Sequence, residues 1–167
     1  QGVEITRGPL DTTRPLHREP LPEPKRQREV MLQYNIGSLA SLFPREFFDE
    51  VGLFDETQSY VEDWELWLRA VFSGWRFHRL EEVLLLLWWS PGSMSSDVED
   101  MGRGEDRALQ LLLEGFREEM TPGEIAFVEH RLSVGSPQRI IRQSNEALRA
   151  GRIEEAKQKL LLAAELM

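Results

Sequence analysis

Cysteine is missing from the 167-residue chain, which excludes a disulfide framework, a thiolate metal centre and a cysteine nucleophile. Histidine is scarce. His17, His78 and His130 show no metal-ligand spacing, and each reads as a surface or strand residue. No apolar run approaches the roughly twenty residues that a membrane helix needs; the longest, Val83-Leu84-Leu85-Leu86-Leu87-Trp88-Trp89, reads as a buried strand. No targeting signal is visible at an N-terminus that opens on Gln1 rather than Met, and the chain is assigned to the cytoplasm. Positive charge is also in deficit, with 20 Lys and Arg against 29 Asp and Glu, a net charge of −9. That balance argues against nucleic acid or an anionic membrane as partner.

What is present centres on Glu62-Asp63-Trp64-Glu65-Leu66-Trp67-Leu68-Arg69. Trp64, Trp67, Leu68, Val71 and Phe72 fall at i, i+3, i+4, i+7 and i+8 and form one apolar stripe, with Glu65, Arg69 and Ser73 away from it. Asp63 then reads as the N-cap and Gly74 as the stop. An aspartate so placed has a purely structural use, satisfying an orphan N–H for about 1 kcal/mol. It is also mounted as a catalytic base is mounted, in fixed geometry at the edge of a core, with Glu62 beside it.

The wider string carries a resemblance. Asn35-Ile36-Gly37, Phe43-Pro44-Arg45-Glu46, Val51-Gly52-Leu53-Phe54-Asp55-Glu56, the Glu62–Arg69 segment, Gly74-Trp75-Arg76-Phe77 and Pro91-Gly92-Ser93-Met94-Ser95 occur in order. Together they resemble the C-terminal half of family 2 glycosyltransferases. The resemblance implies an α/β fold, a mixed sheet with flanking helices, of which this chain holds the acceptor-side portion followed by an α-helical extension. It implies that Asp63 is the general base of an inverting transfer from a nucleotide-sugar donor to an acceptor hydroxyl, supported by Glu62. Asn35, Gly37, Trp64, Trp89 and Ser93 become the expected substrate-binding residues. The acceptor would be a saccharide, a lipid-linked glycan or a protein. A divalent Mg or Mn is expected only with a donor-binding half, because no Asp-x-Asp precedes the matched region, and transfer by this chain alone is not expected. Ser90 stands where many relatives carry His before Pro-Gly-Ser.

Three segments are expected. Residues 1–30 are rich in Pro, Arg and Glu and read as a linker or active-site loop. Residues 31–100 form the acceptor-side part, with strands at 34–42, 77–80 and 83–89, and a short helix from Pro44 to Val51 closed by Gly52. Trp88 and Trp89 would face opposite sides of their strand, one in the core and one free to stack on a sugar. Residues 101–167 read as helical, with a Leu109, Leu112, Leu113, Phe116 stripe, a Thr121–Glu124 capping box and a helix opening at Ser136-Pro137. A hairpin at 138–166, broken at Gly151 and striped by Ile153, Ala156, Leu160, Ala163 and Ala164, resembles a tetratricopeptide unit. Two other functions fit the same residues: a non-catalytic module recruiting a protein partner or a second copy through the helical tail, and a domain unrelated to sugar chemistry.

Overall fold

The apolar stripe at 64–72 becomes the central helix of the protein. The computed structural model describes residues 20–37, 41–80 and 93–167. Among them lie α1 (Gln27–Gln33), α2 (Arg45–Val51), α3 (Glu62–Phe72), α4 (Val98–Phe116), α5 (Pro122–Val134), α6 (Pro137–Arg149) and α7 (Ile153–Glu165). Eight of the 11 residues of α3 are buried, because α1, α2 and α4 all pack against it. Gly74, at φ +95°, ends the helix. Its N–H donates to Val71 O and the Trp75 N–H to Ala70 O, which closes a Schellman turn.

The expected α/β fold with a mixed sheet is not what the chain forms: no strand occurs among the described residues. The reason is visible at Phe77. The buried Gln27 side chain donates to Phe77 O at 2.8 Å and accepts from Phe77 N at 2.7 Å, so one amide does what a neighbouring strand would do. At 34–37 the chain is extended but folds back on the Asn35 side chain instead of a ladder. The strand expected at 83–89 lies outside the described residues.

The principal core runs from Val30 to Val128 and draws on both sides of residue 100. Arg131 of α5 crosses it as a buried cation. Its guanidinium donates to Leu32 O at 3.0 Å, Gln33 O at 2.8 Å and the Glu105 carboxylate at 2.7 Å, and it lies 5.1 Å from the Trp64 ring. Burial pushes the Glu105 carboxyl above its ordinary range, against the pull of Arg131.

The helical tail starts where its caps predict. Thr121 and Glu124 form the reciprocal capping box of α5, and Ser136 accepts from Arg139 N at the mouth of α6. The α6–α7 turn is a second Schellman closure, with Gly151 at φ +77°. The hairpin carries its own small core of Ile140, Ala163 and Leu166. It docks on α4 through Gly102, where a Cβ would stand 2.4 Å from Arg139, and through the Arg139–Asp106 and Arg142–Glu99 ion pairs. The α7 stripe differs from expectation: Ala156, Ala163 and Leu166 face inward, while Ile153, Leu160 and Ala164 are exposed. Small residues win the inner face because α6 comes close there, with Ser144 Oγ donating to Ala156 O at 2.8 Å.

Arg131→Met removes the partner of a buried carboxylate and leaves two α1 carbonyls unpaired. Urea unfolding should show a loss of about 3–5 kcal/mol; an unchanged midpoint would refute the assignment.

Candidate functional site

Val61 stands at φ 53°, the left-handed region that a β-branched residue rarely adopts. Such backbone costs on the order of 1–3 kcal/mol and persists only where its surroundings fix it. Here α4 does so. The bare face of Gly104 receives Tyr60 O and Val61, each of which would lie 2.7 Å from an added Cβ. Gln58 Nε2 then ties Tyr60 O to Gly104 O, at 2.8 Å each.

The pinned turn decides where α3 begins. The N-cap position belongs to Val61, not to Asp63 as expected, and the side chain of Val61 has nothing with which to cap. Asp63 is the second helical residue, half-buried, and its carboxylate bridges two segments. Oδ1 accepts from Trp64 N at 2.8 Å, and Oδ2 accepts from Asn35 Nδ2 at 3.0 Å. Asn35 is itself fixed, since its Oδ1 accepts from Gly37 N at 2.9 Å. A carboxylate in the first turn also meets the positive end of the helix dipole. Glu62, beside it, is half-buried at the first helical position.

Of the residues expected to bind substrate, Asn35 therefore joins Asp63, and Trp64 and Gly37 serve the core instead. Trp64 is 2% exposed and its indole donates to Met31 O at 2.8 Å, so neither ring face is open. Gly37 is small for the sake of Trp67, whose indole ring would lie 2.4 Å from a Cβ at that position. Trp67, also 2% exposed, packs among Phe43, Phe47 and Phe77. Ser93 precedes the single turn Met94–Ser96 that leads into α4. Trp89 and Ser90 lie outside the described residues.

The rest of the acidic-aromatic string has structural work as well. Glu65, expected on the outer face, is buried and grips Arg69 with both oxygens, at 2.6 and 2.8 Å. Arg69 in turn donates to Val51 O and to Leu53 O, capping the end of α2. The residues that sequence reading missed are Val61, Gln58 and Gly104. One signal was available: two glycines, at 102 and 104, inside a helix that loses about 1 kcal/mol at each mark close approaches.

No protein-family model matches the chain, nor does any curated protein or solved structure. With an all-helical architecture among the described residues and no matching family, membership of the family 2 glycosyltransferases is not supported, and the same holds for the tetratricopeptide family. A helical hairpin is present at 137–165 without that family behind it.

Two substitutions test the Gly37–Trp67 contact. Trp67→Ala should destabilise the protein by about 3–5 kcal/mol and Gly37→Ala by about 1–3 kcal/mol, read as shifts in chemical denaturation. A Gly37→Ala protein of unchanged stability would show that the glycine serves something other than the tryptophan.

Proposed function

We propose that Asp63 is the proton-accepting group of a sugar-transfer site, taking the proton of an acceptor hydroxyl as that oxygen attacks the anomeric carbon of a nucleotide-activated sugar. In-line attack inverts the anomeric configuration. The observation that carries this reading is the 3.0 Å Asn35–Asp63 hydrogen bond. It immobilises a half-buried carboxylate in the first turn of a helix that is entered through the strained Val61, and strained backbone clusters at functional sites. A sugar hydroxyl is a poor nucleophile until a positioned base takes its proton. Asp63 Oδ2 keeps a lone pair for that hydroxyl, and the Asn35 amide keeps a second N–H to orient the acceptor.

Among the described residues no group of three or more His, Cys, Asp or Glu side chains converges as a metal site. In this proposal Mg or Mn comes with the donor-binding part. Acceptors are saccharides, lipid-linked glycans or proteins. No helix among the described residues is long and apolar enough to cross a membrane, and the compartment we attach to this reading is the cytoplasm.

Asp63→Asn retains the size and much of the hydrogen bonding of the aspartate. In an enzyme complete with its donor side, turnover should fall by about a hundredfold to ten-thousandfold with the fold intact, and Glu62→Gln should cost less. Near-normal turnover by folded Asp63→Asn removes Asp63 from the role of base.

A second reading, a non-catalytic interaction module, is favoured by the hairpin, where Leu148, Ile153, Leu160, Leu161 and Met167 are all at least half exposed. Deleting residues 138–167 should change oligomeric state or partner binding, measured by light scattering and pull-down, more than it changes any chemical step. Normal association with a lost chemical step would reverse that assignment.

A further inference from the structure

On the other flank of the Val61 turn lies a polar bowl of about 370 Å³, walled by Thr57, Ser59 and Tyr60 on one side and by Asp100, Arg103 and Arg107 of α4 on the other. The two arginines are one helical turn apart and share a face. Arg103 is held by Asp100 of its own helix. Arg107 has neither a hydrogen bond nor an ion pair within 4 Å among the described residues; its charge is felt by Asp55, whose carboxyl the Thr57 hydrogen bonds and then Arg107 hold below the ordinary range. The floor is rigid, because the Gln58 amide is committed to Tyr60 O and Gly104 O. Thr57 is committed as well, its hydroxyl donating to Asp55 at 2.7 Å. The donors left facing the bowl are therefore the Arg107 guanidinium, the part of the Arg103 guanidinium that Asp100 does not engage, and the hydroxyls of Ser59 and Tyr60, with the Asp100 carboxylate beside them.

Two forked cations flanked by hydroxyl donors match a tetrahedral oxyanion, which arginine grips through paired N–H bonds. A neutral sugar has no need of them. The bowl and the base are also joined by the shortest of connections, since Tyr60 lines the one and Asp63 follows three residues later across a turn that α4 holds rigid. The bowl and Asp63 thereby share one rigid frame, on either flank of the turn. We infer that the bowl is a phosphate-ester subsite and that the acceptor is a phosphorylated saccharide, its phosphate between Arg103 and Arg107 and its hydroxyl directed to Asp63. The assignment of that phosphate to an acceptor rests on the sugar-transfer reading; the binding of phosphate does not.

Calorimetric titration of the full chain with a hexose 1-phosphate, the free hexose, inorganic phosphate and a nucleoside diphosphate separates the possibilities. Saturable, salt-sensitive binding of the hexose 1-phosphate is expected. It should weaken by roughly tenfold or more in Arg107→Gln, fall less in Arg107→Lys, which keeps charge without the fork, and persist in Asp63→Asn. Persistence there supports the subsite even if Asp63→Asn shows that the carboxylate is not the base, so the two readings fail separately. Equal binding of the free hexose, unaltered affinity in Arg107→Gln, or no binding of any phosphate overturns the subsite. Stronger binding of the nucleoside diphosphate than of the hexose 1-phosphate overturns the acceptor assignment by giving the phosphate to a donor.

Discussion

The last turn of α1 has four carbonyls with no partner further along its own helix, and the way they are satisfied organises the protein. Val30 O accepts from Tyr34 N, Met31 O from the Trp64 indole, and Leu32 O and Gln33 O from Arg131. A buried carbonyl without a partner costs about as much as a lost hydrogen bond, so α1 is stable only with α3 and α5 in place. Arg131 in turn requires Glu105 of α4 to balance its charge. One helix end thereby brings together four helices that are far apart in the chain, and the stripe of α3 supplies the apolar surface that fills the space between them.

The same requirement explains which parts of the fold were legible in the sequence. Local signals read correctly: Thr121 and Glu124 cap α5, Ser136-Pro137 opens α6, and Gly74 and Gly151 take the positive φ that ends a helix. Each depends on neighbours within a turn. Most of the errors depend on partners far away. Phe77 looked like strand because it is apolar and followed by β-compatible residues, yet its pairing group is the Gln27 side chain, 50 positions earlier. Glu65 looked solvent-facing because it is charged, and it is buried because Arg69 neutralises it and carries the charge on to the α2 carbonyls. The start of α3 was placed at Asp63 because aspartate is a good cap; α4 overrides that preference by forcing Val61 into the turn.

This also accounts for how much of the candidate site could be foreseen. Asp63 and Asn35, 28 residues apart, are both legible as site candidates, but their hydrogen bond follows from the α1–α3 packing and not from any spacing. Trp64 and Gly37 are legible as candidates as well, and both serve the core. An ordered string of acidic and aromatic residues can thus arise from packing alone: Trp64, Glu65, Trp67 and Arg69 each have a structural partner. Asp63 differs from Glu65, a carboxylate of the same string, in being half-buried and held from outside its own helix.

The two separate hydrophobic clusters have a consequence for how the molecule comes apart. The α6–α7 hairpin is closed by local contacts and a few small apolar side chains, and it meets the body through ion pairs whose groups are partly solvated. Such a joint is weak against the cohesion of the principal core. Beyond those pairs and Val134 of α5, little apolar surface ties the hairpin to the principal core, which puts it at the low-stability end of the fold. Salt, which screens those pairs, weakens the charged part of the joint and leaves the Val30–Val128 core untouched.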